Sequence, residues 1–551
     1  MTKNWWKEGV IYQIYPRSFK DSNGDGIGDL RGIISELDYL QSLGIDILWL
    51  SPIYRSPNDD NGYDISDYYK IMEEFGNMAD FDELLEGIHQ RGMKLLMDLV
   101  VNHTSDEHEW FQQSRQSADN PYSDYYFWKK EKPNNWMSFF GGEAWEYDEK
   151  RQAYYLHLFT KKQPDLNWEN PRVREEVYRL MRFWLDKGVD GFRMDVIPLI
   201  SKYLDFPDAD FSDFNQVIID WYANGPRVHE FLQEMHREVI QHYDITTVGE
   251  GPGITKELAN LYVGEDRKEL HMIFHFGHMF IDHGEGGKFD IVDCPLPKFK
   301  RVFTEWHKAI GEEGWINIFL DNHDFPRMIS RFGHDGIYRE KAAKLLATLL
   351  LSLRGTPSIY QGSEIGMTNV AFSDKADYRD VETLNYFKEL EATGGDLEIG
   401  LKKVHQQGRD NVRTPIQWNA QAHAGFTSGT PWIKVNPNYP QINVEAALAD
   451  PNSVFYYYKN MLQFRKQRPT LIYGDYRIVQ PEHEQLFAYH RFDEAAHFYI
   501  VLNFSEEACA IPWEGSQARD WTLLMHNEES VVSDHQQLGP WEARIYQKNQ
   551  D

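Results

Sequence analysis

The sequence predicts a (β/α)8 TIM barrel with an inserted subdomain after the third strand and a C-terminal antiparallel β domain. Three observations carry this prediction. Eight short apolar runs are each followed by a helical stretch. A long aromatic- and Asn/Asp-rich segment, 104–171, breaks that rhythm once, after the third run. From about residue 474 the pattern changes to alternating strands. Continuous apolar strands alternating with helices argue for a parallel sheet, and eight such units argue for a closed barrel.

The runs, in order, are 10–16, 46–52 (DILWLSP), 94–100 (KLLMDLV), 191–196 (GFRMDV), 244–250 (DITTVGE), 272–277, 316–321 and 356–361. The segment 104–171 lacks a sustained helical period and is far longer than an ordinary βα connection, so it reads as a subdomain over one barrel mouth. The helix after it is legible residue by residue. Asn170 is placed to cap it and Pro171 suits its first turn. Val173, Val177, Leu180, Met181, Trp184 and Leu185 recur at helical spacing, and Gly188 ends it. A second insertion, about 367–420, follows the eighth run. Strands are expected at 485–492, 497–505, 520–527 and 541–548. The resulting division is 1–103 with 172–473 for the barrel, 104–171 for the inserted subdomain and 474–551 for the C-terminal domain.

Bulk properties narrow the class. A chain of 551 residues with 41% hydrophobic content can bury a large core. Its net charge of −29 disfavours nucleic acid and anionic membranes as partners. Two cysteines, Cys294 and Cys509, with no CxxC, give neither a disulfide framework nor a thiolate zinc site. The first ten residues, MTKNWWKEGV, hold no apolar leader core, and no apolar window of membrane-spanning length occurs. The expectation is a cytoplasmic protein, a monomer or weak homodimer, without an organic cofactor. The Asn-x-Ser/Thr triplets at Asn102 and Asn503 are then chance matches.

Barrels of this kind place their chemistry at the C-terminal ends of the strands. The polar residues there are Asp98, Asn102 and His103 after the third strand, and Arg193 and Asp195 on the fourth. Glu250 ends the fifth, and Asn322, His323 and Asp324 follow the seventh. Three carboxylates, Asp195, Glu250 and Asp324, thus converge on one mouth, where each costs desolvation energy unless paired. A metal site or a two-carboxylate glycosidase would both use such a set. No HExxH-type ligand cluster supports the metal, and the 15% aromatic content suits sugar stacking. Arg193, two residues before Asp195, is expected to share its strand face and hold that carboxylate ionised.

The stretch DSNGDGIGDL (21–30) spaces oxygens like the start of a calcium loop, with Asp21, Asn23, Asp25 and Asp29, and the Ile27 carbonyl between them. The twelfth position, which should be Glu, is Gly32, and no helix enters the loop. That argues against a calcium sensor. It leaves a structural cation or a metal-free Asp/Asn/Gly turn.

With these residues in view, the chain resembles the α-amylase superfamily of glycoside hydrolases (family 13) over nearly its whole length. The motifs are DLVVNHTS (98–105), QPDLNWEN (163–170), GFRMDV (191–196), VGE (248–250) and FLDNHD (319–324). Within the family, SPNDDNGYDISDY (56–68), QPDLN and RDNVRTPIQW (409–418) look like the oligo-1,6-glucosidase group. The resemblance implies that Asp195 is the nucleophile, Glu250 the general acid/base and Asp324 the third carboxylate, which grips the sugar hydroxyls. It implies that His103, His323 and Arg193 hydrogen-bond the bound glucose. Asp60 and Arg409 would close the far side of a blind pocket, Tyr63 would stack on the sugar, and Phe159 and Gln163 would wall it. It also implies a structural Ca2+ held by Asp21, Asn23, Asp25, Ile27 and Asp29.

Val196, directly after the nucleophile, goes in this group with α-1,6 preference, where Thr goes with α-1,4. The implied reaction is exo-acting, retaining hydrolysis of terminal α-glucosidic bonds in short oligosaccharides of the isomaltose type. Pro198, Gly251, Phe325 and Ser363 depart from the group's usual Asn, Met, Gln and Glu. The first three lie near the leaving-group side and put its preference in question. Activity on α-1,4 links, sucrose or trehalose-6-phosphate, or isomerisation of sucrose, are the alternatives. FPRMISRFGHDG (325–336) matches the isomerases' Arg-rich loop poorly. A non-catalytic relative, like the heavy chains of amino-acid transporters, would need a membrane helix and would have lost these carboxylates.

Overall fold

The computed structural model describes residues 4–549 except 516, 529–531 and 533; the ends of the expected domain bounds, 1–3 and 550–551, lie outside the described residues. Eight parallel strands form one sheet: Ile11–Ile14, Ile47–Leu50, Lys94–Leu99, Gly191–Met194, Thr246–Glu250, Met272–Phe274, Asn317–Ile318 and Thr356–Tyr360. Each expected run holds one of them. In chain order they lie 6-5-4-3-2-1-8-7, and a parallel bridge between Ile273 and Ile316 closes the barrel. The strands are buried almost throughout, as an enclosed parallel sheet requires. The fourth strand begins with Gly191 at φ +146°, where a Cβ would stand 1.9 Å from the Thr246 carbonyl oxygen, so only glycine fits beside the fifth strand.

The helix Pro171–Asp186 forms as its sequence dictates. Asn170 accepts from the Arg172 amide at 2.9 Å, and Val173, Val177, Leu180, Met181, Trp184 and Leu185 are all buried. The chain turns at Gly188, with φ +105°. Before this helix, the inserted segment folds into a short helix, Glu109–Ser114, and a three-stranded antiparallel sheet, Trp128–Lys129, Trp145–Asp148 and Ala153–Leu156. An isolated bridge from His103 to Asp165 and the Leu166 amide's bond to the Asn102 carbonyl at 2.8 Å pin the segment to the barrel mouth, and a bridge from Tyr126 to Leu166 ties it internally. After the sixth strand a hairpin, His283–Gly284 with Gly287–Ile291, reaches toward the same mouth. The insertion after the eighth strand carries the helices Val381–Ala392 and Leu397–Gln407.

The C-terminal region is a five-stranded antiparallel sheet in the order Asp475–Val479, Leu486–Phe492, His497–Asn503, Ala543–Lys548, Trp521–His526. Four of these strands fall in the expected runs, and Asp475–Val479 is an added edge strand. Among the described residues no helix is long and apolar enough to cross a membrane.

Candidate active site

Arg193, on the fourth strand and fully buried, organises one half of the site. Its Nη1 donates to Asp195 Oδ1 at 2.7 Å and to Asp98 Oδ1 at 2.8 Å, and its Nη2 ion-pairs with Glu250 Oε2 at 2.8 Å. The expected contact between Arg193 and Asp195 is therefore formed, but the guanidinium is shared among three carboxylates rather than reserved for one. Burial pushes the Asp195 carboxyl well above the usual range; Arg193 opposes this, and the charges of Glu250 and Asp98 add to it. Burial likewise raises Glu250 against the pull of Arg193. The chain leaves the strand at Val196, whose backbone is left-handed (φ +35°, ψ +40°) and whose amide donates to Glu250 Oε2 at 2.8 Å.

Asp324 organises the other half. Its Oδ1 takes Arg409 Nη1 at 3.2 Å and Arg413 Nη2 at 3.1 Å, and its Oδ2 stands 3.1 Å from His323 Nε2. Burial works to raise this carboxyl, but His323, Arg409 and Arg413 outweigh it and hold Asp324 well below the usual carboxylate range. Burial pushes His323 down to about 3, so it is a neutral hydrogen-bonding ring. Tyr63 joins the halves: its hydroxyl lies 3.0 Å from Asp98 Oδ2 and 2.7 Å from His323 Nε2. Its ring is parallel to that of His323 at 5.2 Å between centroids.

The far wall comes from two segments. Gln163 Nε2 donates to Asp60 Oδ2 at 3.1 Å and lies 3.2 Å from His103 Nε2. Arg409 Nη2 stands 3.6 Å from Asp60 Oδ1. Phe159 packs on His103 at 4.9 Å and stacks on Phe139 at 4.9 Å. The residues singled out in the sequence for catalysis and sugar binding are thus assembled at one mouth. A cavity of about 760 Å3 lies elsewhere, lined by Trp128, Arg151 and Arg172 among others, and contains none of them.

Sequence reasoning missed Arg413 and Asp380, both fully buried. Arg413 sits four residues after Arg409 on the short helix Asp410–Arg413, and this i, i+4 spacing was the available signal. Asp380 gave only the signal of a helix cap. Lys288 of the hairpin also reaches the site, donating to the Asp324 carbonyl at 3.2 Å and to Glu382 at 2.7 Å.

In the 21–29 loop, Asp21 accepts from the amides of Asn23, Gly24 and Gly26 and from the Thr427 hydroxyl. Asn23 accepts from the Asp25 amide and Asp25 from the Ile27 amide, at 2.9 and 2.8 Å. Asp29 caps the helix Leu30–Ser35 through Gly32 N and also takes the Ser22 amide and hydroxyl. The donors are hard oxygens, which suit Ca2+ in kind. Among the described residues, however, no three His, Cys, Asp or Glu side chains gather closely enough to hold a metal ion by themselves.

Residues 13–474 match the family model for the alpha amylase catalytic domain, and 476–545 match that for the maltogenic amylase C-terminal domain. The chain is 55% identical to the oligo-1,6-glucosidase of Parageobacillus thermoglucosidasius, over 99% of each chain. It is 54% identical to that of Bacillus cereus, over 99% of this chain and 100% of the other. Among solved structures it superposes, with a TM-score of 0.96 and 46% identity over the full length of both chains, on a mutant isomaltulose synthase from Erwinia rhapontici NX5 in complex with sucrose. With its barrel, its strand-end carboxylates and these full-length matches, the chain belongs to the alpha-amylase family of glycoside hydrolases.

Proposed function

We propose that the protein is an exo-acting, retaining α-glucosidase that removes terminal glucose from α-1,6-linked short oligosaccharides. The observation that carries this is the single Arg193 guanidinium spanning Asp195 and Glu250. Two carboxyls held on one guanidinium are neighbours, which supports a close pair of the kind retaining enzymes use, ~5–5.5 Å apart. Burial raises both Asp195 and Glu250 against the pull of Arg193, so the acid role is given to Glu250 by its motif VGE (248–250) and not by these shifts. The Asp195 carboxylate attacks the anomeric carbon while Glu250 gives its proton to the departing glycosidic oxygen, leaving a glucosyl ester on Asp195. Glu250, now ionised, takes a proton from water, which displaces Asp195 with net retention. Asp324 would grip the ring hydroxyls, and Asp60, Gln163 and Arg409 would close the pocket behind a single glucose.

Val196 and the relatives named oligo-1,6-glucosidase support the α-1,6 preference. Glucose release from a panel of isomaltose, maltose, sucrose, trehalose, trehalose-6-phosphate and isomaltulose tests it, with isomaltose expected to lead. Asp195→Asn should lower kcat by at least about 1,000-fold; unchanged turnover would sink the nucleophile assignment. A second reading, glucosyl transfer between the two halves of sucrose, draws on the structural neighbour named isomaltulose synthase. Isomaltulose formed faster than free glucose from sucrose would favour it.

We further propose that Asp21, Asn23, Asp25, Asp29 and the Ile27 carbonyl hold a structural Ca2+, remote in role from the carboxylates that do the chemistry. The melting temperature should be about 5 °C or more higher in excess Ca2+ than in EDTA; coincident melting curves would remove the metal. Free Cys294 and Cys509 fit a cytoplasmic protein.

A further inference from the structure

Asp380 opens the helix Val381–Ala392 of the second insertion, far in sequence from every strand-end carboxylate, yet it is completely buried behind the pocket. Its two oxygens have separate partners. Oδ2 accepts from the Thr383 amide at 3.1 Å and its hydroxyl at 3.3 Å, which caps the helix. Oδ1 faces Arg409 Nη2 at 2.6 Å and Arg413 Nη1 at 3.1 Å. The same two guanidiniums reach Asp324 Oδ1 from their other sides, at 3.2 and 3.1 Å. Asp324, Arg409, Asp380 and Arg413 therefore form a closed ring of alternating charge. Behind it, Asp410 Oδ2 accepts from the amides of Arg379 and Asp380 at 2.7 and 3.1 Å, which fixes the backbone that presents Asp380.

Only one member of this ring is placed to touch sugar through a carboxylate. A guanidinium in a dry site binds the nearest carboxylate strongly. Without Asp380, Arg413 would have only the Asp324 carboxylate, and Arg409 only its longer contacts to Asp60 (3.6 Å) and Glu382 (3.7 Å) besides, so both would close on Asp324 and occupy the lone pairs it needs for sugar hydroxyls. We propose that Asp380 is a positioning residue for the glucosidase reaction: it draws Arg409 and Arg413 back from Asp324 and keeps that carboxylate free to grip the distorting glucosyl ring. The inference rests on the reading of Asp324 as the third carboxylate of a retaining α-glucosidase.

Asp380→Asn tests it, because Asn keeps the size and caps a helix as well as Asp while removing the charge. With isomaltose, kcat should fall about 10- to 100-fold, as for a misplaced catalytic group, with KM changed less than about threefold. Trapping with 5-fluoro-α-D-glucosyl fluoride separates this from misfolding. Both proteins should reach one covalent label per chain by mass spectrometry, the variant more slowly by a factor similar to its loss in kcat. Combined with Arg413→Met, the loss should be smaller than the product of the two single losses, since both act through one ring. Wild-type kcat in Asp380→Asn, a loss matched by a smaller labelled fraction, or fully multiplicative losses would each overturn the proposal. If the unmodified protein releases glucose from no α-glucoside, the functional reading fails first and this inference with it.

Discussion

Val196 sits where the chain turns off the fourth strand, in a left-handed conformation that a β-branched residue adopts only under constraint. The constraint is visible: its amide donates to Glu250 Oε2, so the strained turn ties the acid to the residue next to the nucleophile. Its side chain is buried in the cluster that includes Phe127, Leu199 and Phe206, between the inserted subdomain and the loop after the fourth strand. A hydroxyl introduced there needs a partner, and a leaving sugar at the mouth could supply one that the apolar cluster does not. Val196→Thr is therefore expected to lower the isomaltose-to-maltose ratio of kcat/KM by about tenfold, the usual scale for one pocket group. Paired kinetics on the two disaccharides measure it, and an unchanged ratio would detach linkage preference from this position.

At the scale of elements, the joint between barrel and C-terminal sheet rests on arginines bonded to backbone rather than to acids. Arg491, on Leu486–Phe492, donates to the carbonyls of Ser352, Leu471, Thr470, Gly474 and Asp475. These include orphan carbonyls at the C-terminal ends of the helices Arg339–Ser352 and Pro469–Tyr473. Arg465 does the same for Leu351, Leu353, Gly355 and Leu471. Burial pushes Arg491 down to about 9, which still leaves it charged at neutral pH. Arg491→Met should strand several buried carbonyls at about 1–3 kcal/mol each and lower the melting temperature by at least about 5 °C; an unshifted transition would show that water replaces the guanidinium. None of this joint was legible in the sequence, because a buried arginine bonded to carbonyls leaves no partner residue type to look for. Asp380 was hidden by distance instead: its guanidinium partners lie 29 and 33 positions downstream. The edge strand Asp475–Val479 was missed because only Val479 is buried. What was legible was local or repetitive: the eight apolar runs, and a helix whose cap, first-turn proline and buried stripe all lie within 170–188. The strand-end residues were legible for a third reason, since a barrel converts position along a strand into position at the mouth.

For the whole molecule, pH acts mainly through buried histidines. Burial holds His103, His108, His271 and His490 down to about 4, and His278, His283, His307 and His323 down to about 3. In the unfolded chain each would titrate near 6.5. Below that pH the unfolded state takes up protons that the folded state refuses, so stability falls as pH falls from about 6.5 toward 4. Buried carboxylates work the other way, and burial raises Asp60, Asp98, Asp195, Glu250 and Glu364 among them. Asp64, Asp321 and Asp410 are raised to about 6, chiefly by burial. Their contribution is fully present below the unfolded carboxylate pKa and is lost as pH rises through about 6. Acidification also relieves self-repulsion at a net charge of −29. Each of the eight histidines is shifted further than Asp64, Asp321 or Asp410, so stability is expected to fall between about pH 7 and 5. Calorimetric scans at matched ionic strength should show a lower melting temperature at the acid pH. A flat or rising profile would mean that enough of these histidines gain protons within the fold, and that the buried rings are better hydrated than their packing implies.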